Sequence, residues 1–261
     1  MKKATLILSV CLIAVMLCMG LCACGGSDEE ATTDEAVSYV IYSDNSFAPF
    51  EFLDEETNEY IGLDMDILAA IAEDQGFEYT VSNEGFDASM GAVQSGQADG
   101  MIAGMTITDE RAETFDFSEG YFEDGQILVV PEDSDIASLE DLEGKSVAAK
   151  TSTMGAQFAE ENADEYGYTI QYYEDSPTMY TAVTNGANDA CFEDFSVIGW
   201  GIKNDGVALK TVGDVLNPGY YGFAVKKGEN AELIEAFNAG LQNIKDNGTY
   251  DEILAKYGYD K

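Results

Sequence analysis

The chain holds 261 residues, with 50 Asp and Glu against 12 Lys and Arg, a formal net charge of −38, and no histidine. That acidity sets nucleic acid and anionic lipid surfaces aside as partners, because long-range repulsion opposes both. Without imidazole there are no His-based triads, His metal sites or His proton relays, and nothing in the composition calls for a cofactor.

At the start, Lys2 and Lys3 precede an apolar run from Ala4 to Gly20, which Leu21-Cys22-Ala23-Cys24 closes. A charged start, an apolar stretch and a small-residue end describe a secretion signal over residues 1–23. The ending resembles a lipobox, which implies lipidation of Cys24. The alternative is an uncleaved anchor, since the run nears the ~20 residues that span a bilayer. Either way the bulk of the chain lies outside, at a membrane. Residues 25–36 are polar and acidic without apolar periodicity, so residues 24–36 read as a lipidated tether. Cleavage leaves 10 cations against 50 anions, a net of −40, and only Cys24 and Cys191 of five cysteines. No intramolecular disulfide is then expected, and stability must come from a core. The remaining ~225 residues suffice for one large domain or two medium ones.

Along that remainder, strand-like and helix-like runs alternate, which argues for an α/β architecture. Val37 to Tyr42 alternates as a strand does. Residues 64–75 place Ile67, Leu68, Ile71 and Ala72 on one helical face, with Gly76 just beyond as a C′ glycine. Ser176-Pro177 opens a second helix, Ser176 as N-cap and Pro177 in the first turn. Asn230 to Asn247 forms a third, with Leu233, Ile234, Phe237, Leu241 and Ile244 along one face and Gly248 after it.

One internal similarity organises the chain. Ala92-Val-Gln-Ser-Gly-Gln-Ala-Asp-Gly100 and Ala182-Val-Thr-Asn-Gly-Ala-Asn-Asp-Ala190 share Ala, Val, Gly and Asp in register, 90 residues apart. Each reads as helix end, glycine turn, aspartate and apolar strand, a junction that chance also produces in α/β proteins. If the copies are equivalent, the loops leaving the two strands, 104–106 and 193–194, are equivalent as well. Ligands of open α/β sheets bind beyond the carboxyl ends of strands, so two facing lobes would line one crevice with both loops.

Arg111 is the only arginine, and the only cation between Lys3 and Lys145. In so acidic a chain it could simply pair with Asp109 or Glu113. Its motif says otherwise. Asp44-x-x-Phe47-x-Pro49-Phe50, Gly62-Leu63-Asp64-Met65-Asp66, Ala103-Gly104-Met105-Thr106-Ile107-Thr108-x-Glu110-Arg111, Phe115-Asp116-Phe117-Ser118 with Tyr121, and Asn247-Gly248-Thr249-Tyr250 together resemble the type II, family 3 solute-binding proteins of ABC importers for polar amino acids. The resemblance runs from about Val37 to Tyr257. It implies a periplasmic-binding-protein-like α/β fold of two lobes joined by a two-strand hinge. Lobe 1 would comprise residues 37–121 and 222–261, lobe 2 residues 126–217, and the hinge residues 122–125 and 218–221. It further implies a monomer that is not an enzyme, closes over one free amino acid, and presents it to permease subunits.

The chemistry of an amino acid agrees with the residues so implicated. Arginine presents a planar fork that pairs bidentately with an α-carboxylate and never loses its proton. The resemblance adds Ala103, Thr106 and the backbone of Gly104 beside Arg111, and gives the α-ammonium to Asp194. Thr153 and Met154 open a helix whose N-terminus offers further donors, although the family often has glycine where Ser152 stands. Phe47 and Phe86, which in isolation read as core, match aromatics that sandwich the ligand's aliphatic part. Asp44, Lys150 and Glu193 would face the ligand's side chain. Asp44 accepts and Lys150 donates, and a carboxamide needs both, so glutamine is the favoured substrate. Two cations and three carboxylates leave the set at −1, so arginine or lysine is the close rival. A second carboxylate would find no second arginine. Cys191, on an apolar strand without a histidine to activate it, reads as a buried small hydrophobe.

Two other functions compete with this reading. Some dehydratases resemble these binding proteins, and Glu193 could serve one as a general acid. A receptor sensor domain is disfavoured, because no second membrane segment or signalling domain precedes Lys261.

Overall fold

The computed structural model describes residues 37–259; the signal segment, the tether and Cys24 lie outside the described residues. The chain begins with β1 (Ser38–Ser43), β2 (Ser46–Phe47), β3 (Glu51–Asp54) and β4 (Glu59–Ile61). Then come α1 (Leu63–Gln75), β5 (Glu78–Asn83), α2 (Phe86–Ser95), β6 (Gly100–Met101) and β7 (Phe115–Phe117). The long β8 (Phe122–Pro131) leads into β9 (Ser146–Lys150), α3 (Met154–Tyr166), β10 (Thr169–Tyr173), α4 (Ser176–Thr184), β11 (Ala190–Asp194) and α5 (Phe195–Asn204). The equally long β12 (Leu209–Tyr221) returns the chain to β13 (Ala224–Lys226), α6 (Ala231–Asp246) and α7 (Thr249–Lys256).

These strands form two five-stranded sheets, each the centre of an α/β lobe. The first has the order β5-β1-β6-β13-β7 and the second β10-β9-β11-β8-β12; β2, β3 and β4 make a small third sheet. In each lobe three strands run parallel, β1 between β5 and β6 and β9 between β10 and β11, and the others are antiparallel. Period-2 alternation distributes the apolar side chains of β8 to both faces of its sheet. Leu128 and Val130 join Phe158 and Phe192 on one side, while Ile127 and Val129 join Met179, Cys191 and Ile198 on the other. Cys191 is a free thiol inside that second layer, and burial first, then Glu193, pushes its pKa well above the usual thiol range.

The repeat is a structural equivalence. In both copies the aspartate closes the same backbone ring against the middle of the three parallel strands of its lobe, β1 or β9. Asp99 Oδ2 accepts Val40 N at 2.8 Å and Asp189 Oδ2 accepts Ser146 N at 2.9 Å. The reverse bonds, Asp99 N to Val40 O and Asp189 N to Ser146 O, are both 2.8 Å. Ile41 is then in register with Gly100, and Val147 with Ala190.

β8 and β12 pair antiparallel from Phe122↔Tyr221 to Pro131↔Leu209 and run between the lobes. Gly76 takes the left-handed conformation expected past α1, its N–H on Ala72 O. One detail departs from the sequence reading. Asp175 caps α4, accepting Thr178 N at 2.7 Å, and Ser176 is already helical; a carboxylate outcompetes the hydroxyl at the positive helix terminus.

Candidate functional site

Eleven of the twelve residues singled out for binding line one narrow cavity between the two sheets. They are Asp44, Phe47, Phe86, Ala103, Gly104, Thr106 and Arg111 from the first lobe, and Lys150, Thr153, Met154 and Asp194 from the second. Most sit at or just beyond the carboxyl end of a strand or at the start of a helix, the places where backbone groups and side chains of an α/β sheet face outward; Thr106 lies in the loop after β6, bridged to Tyr221.

Arg111 lies in a 3-10 turn, Arg111–Glu113, entered through Thr108, whose Oγ1 accepts Arg111 N at 3.1 Å. Its Nη1 donates to Thr106 O at 2.9 Å, and its Nη2 crosses to Ser152 O of the second lobe at 3.0 Å. The guanidinium carbon stands 5.5 Å from the centroid of Phe86, which covers one face of the planar cation. Burial lowers the Arg111 pKa, and Asp194 across the cavity opposes that.

Gly104 takes φ +54°, and a Cβ there would stand 2.5 Å from a ring carbon of Phe47. Only glycine lets this loop close on the aromatic ring. The loop is held from behind by Asp64, buried at the start of α1, whose Oδ2 accepts Gly104 N at 2.9 Å and the Tyr121 hydroxyl at 2.8 Å. From the other lobe, Thr153 Oγ1 caps α3 by accepting Ala156 N at 3.2 Å. The first turn of that helix therefore points into the same cavity.

Asp194 ends β11 and is fixed by both strands that run between the lobes. Tyr221 of β12 donates to Oδ2 at 2.5 Å, and Gln126 of β8 donates to Oδ1 at 3.0 Å. Burial raises the Asp194 pKa; Tyr221, Gln126 and Arg111 pull it back. Neither Tyr221 nor Gln126 was singled out from sequence. A glutamine beside the apolar run Ile127–Val130 was the one available signal.

Asp44 and Lys150, which line the same cavity, form an ion pair between the lobes, both side chains almost fully buried. Asp44 Oδ1 also accepts Asn45 N at 2.6 Å. The Lys150 ammonium lies 4.8 Å from the Phe47 centroid and 5.9 Å from that of Phe86. Burial works to lower its pKa, but the Asp44 carboxylate holds it above the usual range. Ser152, at φ +63°, adds a second bond between lobes, its hydroxyl donating to Asp87 Oδ1 at 2.6 Å.

Glu193 is the exception. It is buried but does not reach the cavity wall; Oε2 accepts the Tyr180 hydroxyl at 2.8 Å and Oε1 accepts Asp194 N at 2.9 Å. Strand alternation explains the turn away, since neighbours on β11 face opposite sides and Asp194 takes the cavity side. A larger groove of about 730 Å³, bounded by Phe52, Leu53, Trp200 and Val207, has no Lys or Arg in its wall. It therefore offers no charged partner for a carboxylate.

The family model described as bacterial extracellular solute-binding proteins, family 3, matches residues 39–260. The ABC transporter glutamine-binding protein GlnH of Bacillus subtilis is 32% identical over 280 residues, covering 98% of this chain and 97% of that protein. The open conformation of substrate binding domain 2 of Lactococcus lactis GlnP is 44% identical, with a TM-score of 0.60 over 86% of this chain and 97% of that one. An ancestral arginine-binding protein bound to arginine is 36% identical, with a TM-score of 0.79 over 85% of this chain and 98% of that one. Identity and TM-score run in opposite directions here. The open form is the poorer geometric match, as fits a chain whose lobes are bonded through Lys150–Asp44, Arg111–Ser152 and Ser152–Asp87.

Proposed function

The chain belongs to the bacterial extracellular solute-binding proteins, family 3, and we propose that it captures one free amino acid outside the cytoplasm and hands it to the permease subunits of an ABC importer. The observation that carries this reading is the placement of Arg111 and Asp194 on opposite lobes of one cavity. A guanidinium fork and a carboxylate, so arranged, complement the carboxylate and ammonium that every free α-amino acid presents. The aromatic rings of Phe47 and Phe86 supply the apolar walls between them.

For the substrate we favour glutamine. Asp44 and Lys150 place an acceptor and a donor side by side on the cavity wall, the pair a carboxamide requires. With Glu193 turned away, the groups on the cavity wall are two cations and two carboxylates, so a neutral ligand leaves no net charge uncompensated. A basic amino acid is the second reading, supported by the likeness to the ancestral arginine-binding protein. A dehydratase using Glu193 as acid is less well supported, because that carboxylate faces Tyr180.

Capture would proceed by bending at residues 122–125 and 218–221, a hinge closure. Lipidation at Cys24 would hold a monomer at the outer face of the cytoplasmic membrane, or in a periplasm. Among the described residues no helix is long and apolar enough to cross a membrane. Calorimetry of the mature protein against the twenty amino acids tests the reading. Glutamine should bind well below 100 μM, a threshold of about −5.5 kcal/mol. If no amino acid binds that tightly, or if a prephenate-like substrate is turned over, the reading fails.

A further inference from the structure

Behind the Gly104 wall lies an acid that neither the fold nor the ligand set accounts for. Glu51 opens β3, is fully buried, and has no hydrogen-bond donor for either side-chain oxygen; Oδ1 of buried Asp64 has none either. Two ionised carboxylates side by side in an apolar interior would each leave acceptors unsatisfied and would repel one another. The surroundings are fixed. Leu63 N donates to Pro49 O at 2.8 Å and Asp64 N to Phe50 O at 2.9 Å, stitching the start of α1 to the segment that carries Glu51. One proton relieves most of this. Carried by one carboxyl and donated to the other, it gives the second acid a donor, removes one charge and leaves a single neutral carbonyl oxygen without a partner.

The proton belongs to Glu51. Asp64 Oδ2 already receives the Gly104 amide and the Tyr121 hydroxyl, which stabilise its charged form, whereas Glu51 receives nothing. We infer that Glu51 is a protonated positioning residue, donating to Oδ1 of ionised Asp64 and thereby fixing the Gly104 side of the binding cavity. The other groups facing this pair are Asp44 from the loop after β1, Lys150 from the end of β9, Tyr121, and Tyr250 of α7 on the Asp64 side. Asp44 and Lys150 neutralise one another, so among the described residues no unpaired cation faces Glu51 to hold it ionised. Burial, with Asp64 next, raises the Glu51 pKa well above the usual range, in the same direction as the geometry.

The consequence is a pH-dependent cavity wall. Losing the Glu51 proton puts a second charge against Asp64, and any retreat of Asp64 disturbs the Gly104 amide that it holds. The test has two arms, of which the second rests on the amino-acid-binding reading. In the first, the Glu51 side-chain carboxyl carbon, assigned by comparison with Glu51→Gln, is followed by NMR against pH in the full mature chain. It should report a neutral carboxyl at pH 7; an ionised Glu51 at pH 7 overturns the inference outright. In the second, glutamine affinity is measured from pH 6 to pH 9. Glu51→Gln, whose amide can donate to Asp64, should bind within about threefold of wild type at pH 7, and Glu51→Ala about tenfold more weakly. The wild type should lose affinity at alkaline pH more steeply than Glu51→Gln, in which ligand titration is unchanged. Equal pH profiles for those two proteins would also overturn it. If no variant binds any amino acid, the transport reading falls and the carbon resonance alone decides the proton.

Discussion

Asp44 and Lys150 occupy equivalent positions in the two lobes and pair with one another across the cavity. Each lies three residues beyond the strand residue in register with the last position of the repeat, Ile41↔Gly100 in one lobe and Val147↔Ala190 in the other. The same site in two similar lobes thus carries opposite charges, and lobe contact brings them together. Removing one partner of a buried pair leaves the other charge uncompensated, at a cost of about 3–5 kcal/mol. In Lys150→Met the stranded Asp44 should penalise a neutral ligand and welcome a cationic one. We expect glutamine affinity to fall by about a hundredfold or more, while arginine loses far less. Calorimetry with both ligands checks this, and equal losses would remove Asp44 and Lys150 from side-chain recognition.

Arg111 should tolerate no substitute. Its two outer nitrogens are oriented by carbonyls on opposite lobes, Thr106 O and Ser152 O, and its plane stands against Phe86. Arg111→Lys keeps the charge but replaces the fork with a point donor on a flexible stem. One or two charge-assisted bonds lost correspond to about 2–3 kcal/mol, or roughly 30- to 150-fold in affinity. The far-ultraviolet circular dichroism should be unchanged. Wild-type affinity in Arg111→Lys would place the ligand carboxylate elsewhere.

What the sequence revealed and what it concealed follow from how local each feature is. Arg111, Gly104 and Thr106 lie within eight residues, and the repeat aspartates mark equivalent turns, so short motifs were enough to find them. Gln126 reaches Asp194 because β8 pairs with β11 and sets the two in register, and Tyr221 reaches it because β12 lies along β8. No window along the sequence contains that relation. Glu51 lies just past the motif that ends at Phe50, and an acid between Phe50 and Phe52 gives no sign of burial until the start of α1 is seen to cover it. Glu193 shows the converse: its neighbour Asp194 takes the cavity side, and strand alternation turns Glu193 away.

Stability should fall as pH rises from mildly acidic to neutral. A carboxyl whose pKa is higher in the folded chain binds its proton more tightly there. Its stabilising contribution is complete below the unfolded value and is lost as pH climbs through the folded one. Asp124, raised by burial and then by Asp194, moves from 3.8 to about 7, and Asp64, raised by burial, from 3.8 to about 6; Glu51, Glu193 and Asp194 shift the same way. Each group contributes a slope of up to about 1.4 kcal/mol per pH unit inside its window. The melting temperature should therefore be higher at pH 5.5 than at pH 7.5, and Asp124→Asn should shrink the difference. A flat profile over that range would mean that these carboxyls ionise normally in the folded chain.

The repeat aspartates offer a last test, one that separates folding from binding. Asp99 and Asp189 each accept a backbone N–H from the middle parallel strand of their lobe, Val40 N of β1 and Ser146 N of β9, and neither lines the cavity. Replacement by alanine strands that N–H and removes a bond from a charged acceptor, at about 1–3 kcal/mol each. Asn keeps one acceptor oxygen and should recover most of the loss. The two sites lie in different lobes and share no partner, so the double substitution should cost the sum of the singles. Urea unfolding of the four proteins gives those values. Asp189 also pairs with Lys145 at 3.4 Å, but both side chains are largely exposed and the pair adds little. Near-equal costs are therefore expected, with amino-acid affinity unchanged. A marked loss of affinity in Asp99→Ala at a temperature where it is fully folded would instead tie this turn to the cavity through β6, which leads from Asp99 to Ala103 and Gly104.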